Sequence, residues 1–136
     1  MTAATERRLL QAALALACLV PLIAGALGIV RGPAFLGGEQ PSAGLDSHFR
    51  YLSGLLLGIG IAFAALIPRI ERRGPAFRML GLIVVLGGLA RLGSLVVTGM
   101  PGPGHLFGLA MELGVLPLLM LWQARVAGMC GSPRPL

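Results

Sequence analysis

Four stretches of the chain are almost unbroken runs of apolar residues: about 8–30, 48–68, 78–98 and 105–126. At 1.5 Å per residue the charge-free part of the first, residues 9–30, covers ~33 Å, enough to cross the ~30 Å hydrocarbon core of a bilayer. Small residues recur along these runs at helical spacing. Ala17, Pro21, Ala24, Gly25 and Gly28 form one face of the first, and Gly54, Gly58 and Ala62 follow Arg50 every four residues in the second. Such stripes let helix backbones approach closely. Gly81, Gly87, Gly88, Arg91, Ser94 and Thr98 fall on or near one face of the third run. His105, Gly108, Glu112, Leu119 and Gln123 share a face of the fourth. The pattern predicts an all-α fold: one membrane domain over residues 1–136, an integral four-helix bundle whose consecutive helices are antiparallel neighbours.

The interruptions support this division. Residues 31–47 hold Gly32, Pro33, Gly37, Gly38, Pro41 and Gly44, which makes them a loop, and Asp46 or Ser47 suits the N-cap of the next helix. Residues 69–77 form a short basic turn, residues 99–104 a Gly-Pro connection, and residues 127–136, with Gly131, Ser132, Pro133, Arg134 and Pro135, a solvated tail. Four crossings put both termini on one side. Arg7, Arg8, Arg69, Arg72, Arg73, Arg78, Arg125 and Arg134 then share that side, and only Arg31 and Arg50 lie near the other. The excess of positive charge places both termini in the cytoplasm, with 31–47 and 99–104 facing outward. A cleaved signal peptide is the rival reading of the first run, with Arg7-Arg8 as its basic head and Ala24-Gly25-Ala26 as a cleavage-like site. The run is long for that role, so a retained span is expected.

Composition narrows the choice. Hydrophobic residues make up 56% and charged residues 12% of the chain, far below the quarter charged that is usual in soluble domains. The net charge of +6 comes entirely from arginine, without any lysine, and no aromatic-and-basic surface stretch supports a nucleic-acid reading, so nucleic acid is not an expected partner. Membrane lipids are, and the arginines at the inner helix ends read as topology signals with anionic-lipid contact as a second role. Cys18 sits inside the first run and Cys130 in the tail. A disulfide between them is not expected, and the absence of a CxxC weakens any thiol-redox reading.

The candidate chemistry lies inside the membrane. Arg91 interrupts the third run and Glu112 the fourth. An arginine at mid-helix costs ~2.5–3.5 kcal/mol on insertion scales unless it faces protein, water or a counter-charge. Each of the two lies seven residues, ~10 Å, from the outer end of its helix. On antiparallel neighbours they are expected to meet. His48, Arg50, Tyr51 and Ser53 from the second helix, Ser94 from the third and His105 from the fourth lie on the same outward side, with Arg31 and Asp46 at the mouth. The outward N-termini of the second and fourth helices add partial positive charge. These residues imply an outward-facing, net positive pocket for a lipid head, a quinone or a small anion. The plainer alternative is an interhelical lock that only fixes register. His48 and His105 lack metal-site spacing, and no metal or other cofactor is expected. The 99–104 turn lacks the ending of a P-loop, Tyr51 and Trp122 suit interface anchors, and no nucleophile–base set can be named from spacing.

The stretches Gly28-Ile29-Val30-Arg31-Gly32-Pro33, Asp46-Ser47-His48-Phe49-Arg50-Tyr51-Leu52-Ser53-Gly54, Gly87-Gly88-Leu89-Ala90-Arg91, His105-Leu106 and Met111-Glu112 carry a family resemblance. Over roughly residues 9–126 the chain resembles small bacterial four-helix membrane proteins catalogued as a domain of unknown function, DUF4345. The resemblance implies an inner-membrane protein and brings no established activity. A looser likeness to DoxX-like four-helix proteins rests on architecture alone. Those proteins are linked to respiratory oxidoreductases and thiol stress, and the paired thiols for the latter are missing here. Three readings follow: a binding protein with an outward pocket; an accessory or scaffold subunit of a larger membrane complex or homo-oligomer; and a membrane enzyme or proton-coupled carrier using Glu112 and a histidine. A carboxylate held beside an arginine suits anchoring better than proton cycling, so the third ranks last.

Overall fold

Every regular element among the described residues is a helix. The structure, a computed structural model, describes residues 2–36 and 41–131; the expected loop positions Gly37 and Gly38 and the tail from Ser132 through Arg134 to Pro135 lie outside the described residues. The order is α1 (Ala3–Arg31), a 3-10 turn (Gly32–Leu36), α2 (Ala43–Leu66), a second 3-10 turn (Ile67–Arg72), α3 (Gly74–Thr98), α4 (Pro103–Ala110), a π-helical turn (Met111–Val115) and α5 (Leu116–Gly131). Four spans, Ala3–Ala34, Ala43–Arg72, Gly74–Thr98 and Pro103–Gly131, are long and apolar enough to cross a membrane. Their surfaces agree: Val96 and Val97 on α3 are 78% and 83% exposed and Leu121 on α5 is 70% exposed, which only hydrocarbon or another apolar chain tolerates over so many side chains.

The chain divides into two compact units, residues 15–65 and residues 1–14 with 66–136. In the first, α2 runs antiparallel to the second half of α1. Gly25 and Gly28 are buried where α2 crosses. A Cβ on Gly25 would lie 2.7 Å from the main-chain nitrogen of Leu57, and one on Gly28 would overlap the Ser53 hydroxyl. Gly60 returns the favour to Leu22 of α1, 3.1 Å away. The expected α2 stripe of Gly54, Gly58 and Ala62 is not the contact face; nothing described lies within 4 Å of a Cβ on Gly54 or Gly58, and the buried α2 positions are Ser53, Gly60 and Phe63. α2 also begins earlier than expected. Ser42 accepts the Leu45 N–H at 3.3 Å and caps the helix, so Asp46, offered as a cap, lies inside the first turn.

In the second unit α3 packs antiparallel against the fourth span. Gly74, Gly81 and Gly88 are its buried glycines, seven residues apart, facing Gln123, Met120 and the Leu113–Glu112 pair. Seven residues bring a helix almost back to the same face, so this spacing forms a continuous seam. Gly99 ends α3 at φ 93°, a left-handed conformation that side chains resist, and its N–H reaches Leu95 O at 3.1 Å. The fourth span was expected as one regular helix; instead it widens at Met111–Val115. Leu116 donates to the Met111 carbonyl, five residues back, and Pro117, next in line, has no N–H to give.

Candidate functional site

The seam ends at the polar group. Gly88 is buried, and a Cβ there would stand 2.9 Å from the Glu112 Cβ; its absence lets the fourth span close in at this level. Three residues on, Arg91 extends its guanidinium to the carboxylate in a two-pronged contact. Nε donates to Glu112 Oε2 at 3.0 Å and Nη2 to Oε1 at 3.1 Å. Nη1 lies 2.9 Å from His105 Nδ1. A guanidinium only donates, so Nδ1 accepts and the imidazole is neutral, with its proton on Nε2. Glu112 offsets the charge of Arg91, so this three-residue cluster carries no net formal charge. The Arg91 side chain is 35% exposed and that of Glu112 17%, so the group is partly open. Three of the five guanidinium N–H groups are engaged; among the described residues two more, with the His105 Nε2–H, are donors to spare. Gly108 lines the same spot, its Cβ position 3.6 Å from Arg91 Cζ. The π-turn places Glu112 here, and such turns recur at functional positions. Ser94 does not join: it is exposed, its carbonyl accepts from the Thr98 hydroxyl at 2.7 Å, and the two hydroxyls lie 3.4 Å apart.

The remaining candidates belong to the unit of α1 and α2. Arg50 is committed to its own fold. Nε donates to Asp46 Oδ2 at 2.8 Å, Nη2 to Oδ1 at 3.3 Å, and Nη1 to the Ile29 and Val30 carbonyls. Those carbonyls end α1, where the helix offers them no donor, so Arg50 caps a neighbouring helix. Gly32, at φ 62°, stands where a Cβ would strike Asp46 and Arg50. Ser53 is buried and donates to Phe49 O at 2.8 Å. His48 and Tyr51 are exposed, with ring centroids 6.5 Å apart, and Arg31 is exposed in the last turn of α1.

The other end of the α3 unit holds a second polar group that the sequence reading passed over. Gln11 Nε2 donates to Ile67 O at 2.9 Å and to Pro68 O at 3.3 Å, and Gln123 Nε2 to Ile70 O at 2.9 Å. Two amides thus satisfy carbonyls of the 3-10 turn that follows α2. Trp122 Nε1 donates to Glu6 Oε2 at 2.8 Å, and Arg125 lies 3.6 Å from Glu6 Oε1. Glu71 Oε1 lies 3.6 Å from Arg7 Nη1 and 4.0 Å from Arg72 Nε. Two glutamines inside apolar runs and two glutamates among arginines were the available signals.

Among the described residues, no group of three or more His, Cys, Asp or Glu side chains could hold a metal ion. A family model described as a domain of unknown function, DUF4345, matches residues 9–123. No curated protein and no solved structure matches the chain.

Proposed function

The chain belongs to the DUF4345 family, a domain of unknown function, and from that premise we propose that it is a small multi-pass protein of a bacterial inner membrane, with both termini cytoplasmic, whose Arg91–Glu112–His105 cluster binds the polar head of a membrane-dissolved molecule. The observation that carries the reading is the arrangement of donors. Arg91 is fixed on two sides by Glu112 and His105, yet a third of it is exposed, and the unused groups of the cluster are N–H donors. A guest must therefore accept. The neutral cluster favours a quinone carbonyl or the ester carbonyls of a lipid over a phosphate or a free small anion, which would meet Glu112 as closely as Arg91. Fixing the donors beforehand lowers the ordering cost of binding.

Native mass spectrometry of gently solubilised protein tests this. Wild type retains a quinone or lipid that Arg91→Leu loses, while Glu112→Gln, which keeps a hydrogen-bonding partner for Arg91, retains part of it. Equal retention by wild type and Arg91→Leu overturns the reading and leaves the pair as an interhelical lock.

A second reading, an accessory subunit of a larger complex or a homo-oligomer, is favoured by the open glycine stripe of Gly54 and Gly58 on α2. It predicts companion subunits in the same spectra; a lone, monodisperse chain argues against it.

A further inference from the structure

A hollow of about 330 Å³ opens at the end of the α3 unit opposite the Arg91 cluster, lined by Arg7, Glu71, Arg72, Ala127, Cys130 and Gly131. At ~30 Å³ per water it has room for about ten waters' worth of volume. It lies where the start of α1, the second 3-10 turn and the end of α5 meet. Two of its walls are unfinished. Glu71 is nine-tenths buried, with Oε1 turned to Arg7 and Arg72 and Oε2 without a hydrogen-bond partner among the described residues. Arg7 Nε is buried and equally unpartnered. A buried acceptor with formal charge and a buried charged donor are each costly to leave bare.

We propose that this hollow is a phospholipid-headgroup site selective for a zwitterionic phosphoethanolamine. The phosphate receives N–H groups of Arg7 and Arg72, and the primary ammonium donates to Glu71 Oε2. Turning the Glu71 carboxylate and the Arg7 guanidinium toward the hollow gives each orphan a partner of the right kind and sign. A choline head offers no N–H to Glu71, and a glycerol head brings no positive charge to it. The site is separate from the function proposed above, because Arg91 takes no part in it.

The test uses the full chain in nanodiscs of equal mixtures of phosphatidylethanolamine, phosphatidylcholine and phosphatidylglycerol, with the retained lipid read by native mass spectrometry. Phosphatidylethanolamine is retained about tenfold over each competitor, the scale set by one charge-assisted contact. In Glu71→Gln the preference over phosphatidylcholine falls to near one, and in Gly87→Ala, an open position on α3 away from the hollow, it is unchanged. Cys130, exposed and lining the hollow, reports the location. In a Cys18→Ala background, maleimide modifies Cys130 more slowly in phosphatidylethanolamine than in phosphatidylcholine, and Glu71→Gln removes the difference. Equal retention of the three lipids, a preference for phosphatidylglycerol, a preference that survives Glu71→Gln, or Cys130 labelling indifferent to the lipid each overturns the proposal.

Discussion

Arg91 and Glu112 stabilise each other because neither has a good alternative in hydrocarbon. Removing one partner exposes the other to that cost, whereas removing both does not. Arg91→Leu is therefore expected to lower stability by about 1.5–3 kcal/mol, the scale of hydrogen bonds to a charged group. The double variant Arg91→Leu/Glu112→Leu should recover a large part of that loss in thermal melts in detergent; a double variant less stable than either single one would deny the coupling. Gln123 is a different case. It is fully buried, with one amide donor spent on Ile70 O and its carbonyl oxygen unpartnered among the described residues. Gln123→Leu strands the Ile70 carbonyl but also removes a bare oxygen, so the net loss should be only about 1 kcal/mol. The Arg91–Glu112 meeting was legible in the sequence because depth follows from counting along two helices. The part played by His105 Nδ1 was not, since it depends on which guanidinium nitrogen faces which ring atom.

At the scale of elements, the sequence shows where helices are but not which glycine matters. Gly87 and Gly88 are neighbours in the same motif, yet a Cβ on Gly87 meets nothing described within 4 Å while one on Gly88 meets Leu113 and Glu112 below 3 Å. Gly88→Ala should destabilise by about 1–3 kcal/mol, the usual penalty for overpacking. Gly87→Ala should stabilise by up to ~1 kcal/mol through helix propensity alone. Thermal melts of the two single variants check the contrast, and equal shifts would refute the seam. The stripe on α2 misled for the same reason: Gly54 and Gly58 have the right spacing, but contacts through Ser53 and Gly60 place a different face against α1. The π-turn was invisible to a periodicity count because its insertion is a single residue. Deleting Gly114 should restore a regular helix and turn Glu112 by ~100° relative to α5. Loss of the Arg91→Leu/Glu112→Leu coupling in that background is the expected result.

At the scale of the molecule, four membrane-capable spans were readable from run length and composition, because the bilayer imposes a minimum that few soluble helices meet. The proposed inner-membrane orientation rests on the arginine asymmetry, and Cys130 provides its check: if the proposal holds, a membrane-impermeant thiol reagent modifies it only after the inner membrane is permeabilised. Labelling from the periplasm of intact cells would reverse the orientation. What the sequence concealed was the polar end of the α3 unit, where Glu6, Glu71, Gln11 and Gln123 come from segments far apart in the chain and acquire meaning only when folded. One contact there has a practical result. Trp122 is the chain's only indole, and it is tethered to Glu6 in the first turn of α1. Its ultraviolet emission is thus an intrinsic gauge of whether the amino-terminal segment is docked, readable in native membranes without attaching any dye.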